Sequence, residues 1–153
     1  MELSEIAKQR LSAAGWTPGR DVSGKLSKWV HTLREKGGFE VFPAAERVLR
    51  EFGGLSVEQR GPGVTSARES FSLDPLLGVN GRRMFGRYAE FLGVSLYPLG
   101  TAFAGDMYLV VAEDDRVFGI GEEAWLVGRG IVEALDTLLV GRMLTSLGGP
   151  ARR

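Results

Sequence analysis

Cysteine is absent from this chain of 153 residues. That excludes disulfides, thiolate metal sites and a cysteine nucleophile, and it suits a reducing compartment. Histidine occurs once, as His31. No His-x-x-x-His pair can form, which argues against a catalytic zinc site. A serine triad would need His31 beside a serine and an acid, and nothing like Gly-x-Ser-x-Gly occurs. His31 therefore reads as a surface or half-buried side chain. A surplus of one charge is missing too, with 19 basic and 19 acidic residues. A general nucleic-acid binder draws its affinity from excess Lys and Arg, so direct nucleic-acid binding is not expected. No apolar run approaches the ~20 residues needed to span a bilayer. The first residues carry Glu2, Glu5, Lys8 and Arg10 and show no signal-peptide core. The expectation is a soluble cytoplasmic protein with no membrane association.

Hydrophobic residues make up 44% of the chain and charged residues 25%. This suits a single domain over residues 1–153, which can bury roughly two thirds of its unfolded surface in one core. The 22 glycines and 6 prolines stay below the level that signals disorder. The charge is unevenly spread. Residues 106–136 hold eight acids and two bases, and all four lysines precede residue 37.

Hydrophobic periodicity places the elements. Leu3, Ile6, Ala7, Leu11 and Ala14 share one helical face over 3–14, with Ser4 as cap and Gly15 as left-handed stop. A second helix is expected from about Lys25 to Glu35, with Leu26, Trp29, Val30 and Leu33 inward. "FPAAERVLREFGGL" (42–55) sets Pro43 in a first helical turn and buries Ala44, Val48, Leu49 and Phe52. Gly53-Gly54 then releases "LSVEQR", a strand; "GPGV" turns it, and "TSARESFSLD" returns as the second arm of an antiparallel hairpin. Asp74-Pro75 reads as a cap followed by a first-turn proline. A helix over 82–93 turns Met84, Phe85, Tyr88 and Leu92 inward, weakened by Gly86. Strands follow at 94–100, 106–114 and 116–120, while "AWLVGRG" stays unassigned. A last helix at 130–141 buries Ile131, Ala134, Leu135, Leu138 and Leu139, and the tail is expected to fray from about residue 148. Strands joined by short turns and flanked by helices, without recurrent strand–helix–strand alternation, make an α+β fold. The expected architecture is a mainly antiparallel central sheet of about five strands with about four helices.

Several stretches resemble chemistry and fail on context. "GIGEEA" (119–124) matches a dinucleotide-loop glycine pattern. Glu122 and Glu123 would repel a pyrophosphate, however, the preceding strand reads as antiparallel, and only one helix follows, with no second β-strand expected after it. No cofactor is expected. The acids of "EDD" (113–115) and "EE" (122–123) lack the spacing of a calcium loop and read as solvated turn carboxylates, so no metal is expected. Trp16, Trp29 and Trp125 read as core or rim fillers. Arg82, Arg83 and Arg87 form a small solvated face.

The ordered set "LSAAGWTPGRDVS" (11–23), "FPAAERVLREFGGL" (42–55), "LDP" (73–75), "LGVSLYPLG" (92–100), "MYLVVAED" (107–114) and "EALDTLLVG" (133–141) resembles the SUKH superfamily of bacterial immunity proteins, specifically its third family. The resemblance spans about residues 11–141. It implies a sheet backed by helices and no catalytic residues. It also implies binding to a cognate polymorphic-toxin domain, often a nuclease, in the cytoplasm of the producing cell. Gly15, Trp16, Arg20, Gly53, Gly54 and Gly100 then serve the fold. The family's hairpin after "VVAED" commonly carries Asp followed by Gly, where this chain has Asp115-Arg116, which leaves the turn geometry open. Nuclease grooves are commonly basic. The candidate partner-binding residues are therefore Glu113, Asp114, Asp115, Glu122 and Glu123, taken as one acidic patch. A regulatory scaffold or peptide-binding module of the same superfamily, not paired with a toxin, is the alternative.

Overall fold

A computed structural model describes residues 2–150. The elements run α1 (Glu5–Ala13), α2 (Ser23–Gly37), α3 (Pro43–Phe52), β1 (Ser56–Val57), β2 (Phe71–Ser72), a 3-10 turn (Pro75–Gly78), α4 (Arg82–Leu92), β3 (Leu96–Ala102), β4 (Met107–Ala112), β5 (Val117–Ile120), β6 (Ala124–Gly128), α5 (Ile131–Val140) and β7 (Thr145–Gly148). The strands make one sheet in the order β1 to β7, every pair antiparallel. The α+β class is as expected. The described residues hold seven strands rather than about five, and five α-helices rather than about four. The unassigned "AWLVGRG" stretch supplies β6. β7 follows the last helix, where no further strand is expected; its residues are largely exposed, so it shows no inward–outward alternation to announce it. Gly148 pairs with Ala124 at the end of β7, and the part of the expected frayed tail at 151–153 lies outside the described residues.

Local chemistry explains most of the helices. Pro43 opens α3, whose Ala44, Ala45, Val48, Leu49 and Phe52 are all buried. Ser4 caps α1 by accepting from the Ala7 N–H at 3.3 Å. Asp74 Oδ1 accepts from the Leu76 N–H at 3.0 Å, and Pro75 follows in the first turn. α4 lays Phe85 edge-on against Tyr108 of β4, with ring centroids 5.3 Å apart. One inward assignment fails. Ile6 is 48% exposed, because α1 buries only the narrow stripe of Ala7 and Leu11.

The β1–β2 hairpin forms with Ser56 opposite Ser72 and Val57 opposite Phe71. Its arms are far shorter than the sequence suggested, because residues 58–70 leave the sheet and run to the end of α5. A helix ends with four carbonyls that have no partner within it. Here the Gln59 side-chain amide donates to the Leu138 carbonyl at 2.8 Å, and the Arg10 guanidinium donates to that of Leu139. The Val64 N–H donates to the Val140 carbonyl, and those of Thr65 and Ser66 donate to Gly141, each at 3.0 Å. Backbones touch there. A Cβ on Gly63 would lie 2.6 Å from Gly141 Cα, so "GPGV" is a close-approach site as well as a turn.

α1 closes on α5 from the other side. The Ser4 N–H and hydroxyl both donate to Asp136 Oδ1, at 3.2 and 2.6 Å. Asp136 is the one buried charged residue among the described residues. Its carboxylate faces the positive end of α1 and lies 3.8 Å from Arg142. In the centre, Tyr97 is fully buried between the rings of Phe39 and Phe42, at 6.1 and 6.0 Å. Its hydroxyl has no hydrogen-bond partner among the described residues.

Two measurements test this packing. Gly63→Ala should cost about 1–3 kcal/mol by overpacking. Gly86→Ala, where a Cβ meets nothing within 4 Å, should gain up to ~1 kcal/mol. Urea denaturation reads both, and equal effects would refute the close approach. For Tyr97, burial first, then the charges of Glu40 and Glu46, push the phenol up to about 12. A raised folded value means its contribution is intact below the ordinary value near 10 and is lost as pH rises from there through about 12. Tyr97→Phe should remove that alkaline loss. It should also stabilise the protein at neutral pH by about 1 kcal/mol, since it deletes an unpartnered buried hydroxyl; thermal melts across pH 7–12 check it.

Candidate functional site

Consecutive hairpins place the expected acidic patch in two parts. The turn between β4 and β5 carries Glu113, Asp114 and Asp115, and the turn between β5 and β6 carries Glu122 and Glu123. These turns lie at opposite ends of β5, whose four residues span roughly 13 Å. The five carboxylates therefore do not form one patch. The sequence puts them within a dozen positions, but each antiparallel hairpin reverses the chain.

At the β4–β5 turn two of the three acids are already paired. Asp114 Oδ2 accepts from Arg116 Nε, and Asp115 Oδ1 accepts from Arg47 Nη2 of α3, both at 2.8 Å. Three carboxylates there face two guanidiniums. The turn geometry left open by the sequence is also settled. Asp115 sits at φ 75°, so it takes the left-handed position that a glycine would fill. Aspartate tolerates that conformation better than most residues.

The opposite end is different. The β3–β4 connection and the β5–β6 turn lie side by side there and, with the 66 loop and the segment leading into β7, enclose a groove of about 670 Å³. Phe103, Met107, Trp125, Met143 and Leu144 supply its apolar lining, and Asp106, Glu122 and Glu123 supply its acids. Among the described residues no Lys, Arg or His lines it. Among the described residues these three acids have no cationic partner within 4.0 Å. Tyr88 of α4 fixes the turn that bears the glutamates by donating to the carbonyls of Gly121 and Glu122, each at 3.1 Å. Gly119 has no room for a side chain because the Met107 thioether lies over it. Met143 is 72% exposed.

The sequence missed most of this groove. Trp125 reads from the sequence as a core or rim filler, and it is half-buried on the groove wall. Met143 and Leu144 sit beyond the last expected helix, and nothing near them marks a site. Asp106 was visible only as one acid among eight.

The motif residues serve the fold. Trp16 is buried, stacks on Phe52 at 6.3 Å and donates its indole N–H to Glu51 Oε2 at 3.0 Å. Arg20 donates to the Glu51 carbonyl at 2.6 Å. Gly53 lies beneath the Trp29 ring, and a Cβ on Gly100 would overlap the Ser72 carbonyl. His31, Arg82, Arg83 and Arg87 are exposed.

The turn makes a sharp prediction. Asp115→Gly should change stability by less than ~1 kcal/mol, since glycine suits the left-handed position and an exposed ion pair contributes little. Asp115→Val should cost about 1–2 kcal/mol, because a β-branched side chain is strained there. Thermal unfolding of the two variants checks it.

Comparison with known proteins gives one result. A family model described as SUKH-3 immunity protein matches residues 3–141. Neither the curated proteins nor the solved structures contain a match.

Proposed function

The chain belongs to the SUKH-3 immunity protein family, and from that membership we propose that it binds the toxin domain encoded beside it and neutralises it by occlusion, without catalysis. The match over residues 3–141 carries this reading. The geometry supports it in two ways. The motif residues are occupied in holding the scaffold, which frees the surface to vary with the partner, as specificity tuned by local differences in affinity requires. The carboxylates of Glu122 and Glu123, which have no cationic partner among the described residues, would complement a basic toxin surface such as a nuclease groove and speed association. Asp114 and Asp115 suit that role less well, since each already has an arginine.

Calorimetric titration against the catalytically inactivated toxin domain from the neighbouring gene is the test. A 1:1 complex with nanomolar affinity, around −12 kcal/mol, is expected. Absence of binding would overturn the immunity reading and shift it to an unpaired scaffold.

A further inference from the structure

We infer that the groove between the β3–β4 connection, the β5–β6 turn and the segment leading into β7 is the toxin-binding surface, and that its occupant is a lysine- or arginine-bearing protein surface projecting one apolar side chain. This rests on the immunity reading and names where and how the partner is held.

Three observations converge on that occupant. The first is charge. Asp106, Glu122 and Glu123 stand at the groove, and among the described residues no Lys, Arg or His lines it and no cation pairs with them. Carboxylates gathered without counter-charge repel one another, and a cationic partner relieves that repulsion as it docks. The second is the apolar lining. Trp125 and Met143 are the residue types that anchor protein interfaces, an aromatic and a flexible thioether, and Met143 is 72% exposed. A floor of this kind favours an aliphatic or aromatic side chain over a sugar or phosphate. The third is backbone strain. Phe103 and Ala104 sit at φ 55°, followed by Gly105 at φ 87°. A phenylalanine held in the left-handed region is costly, and such outliers cluster where a side chain must be presented to a ligand. Phe103 lines the groove and is half-buried there.

The test uses the full chain and the same inactivated toxin domain, with stopped-flow association and calorimetry. Glu122→Lys with Glu123→Lys should slow association at least tenfold at low salt, and the difference should shrink as salt is raised. Asp114→Lys with Asp115→Lys, at the other end of β5, should stay within twofold of the parent. Phe103→Asn, which tolerates the left-handed conformation, and Met143→Glu should each weaken affinity at least tenfold through faster dissociation. Circular dichroism and melting confirm that each variant is folded. If the parent binds and the groove variants bind within twofold of it, the groove is refuted as the interface while the immunity reading stands. If the parent does not bind, both fail.

Discussion

The carbonyls of Leu138, Leu139, Val140 and Gly141 at the end of α5 are the constraint around which the molecule is arranged. They are acceptors that the helix itself cannot satisfy. Arg10 reaches them from α1, Gln59 from just after β1, and Val64, Thr65 and Ser66 from the excursion that follows. Each donor would otherwise have no reason to be there. The excursion of residues 58–70 departs from the sheet to make these bonds, α1 is pinned across α5, and the Gly63–Gly141 contact brings the backbones close enough for the amides to reach. With Ser4 on Asp136 as a second tie, α5 gathers both ends of the chain and the longest irregular segment. Ser66 then forms part of the groove wall, so the same capping positions one side of the candidate interface.

The elements legible in the sequence are those whose causes are local. Pro43 and the stripe from Ala44 to Phe52, the Asp74-Pro75 pair, and the apolar runs of β3, β4 and β5 form where their own residues dictate. What could not be read depends on partners far away. Nothing in "VEQRGPGVTSARES" reveals that its amides serve a helix end some 75 positions later. β7 carries no hydrophobic alternation, because its role is to extend the sheet at an exposed edge. Ile6 matched the helical period and still faces outward, since periodicity gives a direction and not the width of the surface that covers it.

The acidic residues teach a related lesson. A cluster in sequence becomes a cluster in space only if the chain does not reverse between its members. Here β5 separates them, and the two halves acquire different characters. In one, Asp114 and Asp115 are paired with Arg116 and Arg47 and stiffen a turn. The other has no cationic partner among the described residues and lies beside exposed apolar side chains. The family motifs, meanwhile, are spent on architecture: an indole bonded to Glu51, a glycine under Trp29, a glycine against Ser72. The residues of the candidate interface lie outside those motifs or unmarked within them, as expected of a scaffold that is kept while its contacts change.

The sheet order β1 to β7 bears on how the chain reaches this state. Every strand pairs with its neighbour in sequence, and from β3 to β6 the connections are short, so these hairpins can assemble by closing small loops one after another. The ties between Ser4 and Asp136, 132 positions apart, must instead close nearly the whole chain. Loop-closure entropy rises with length, so the α1–α5 clasp gains most once the intervening sheet already holds its ends near each other. Loosening the clasp should therefore show itself in how fast the molecule comes apart more than in how fast it forms.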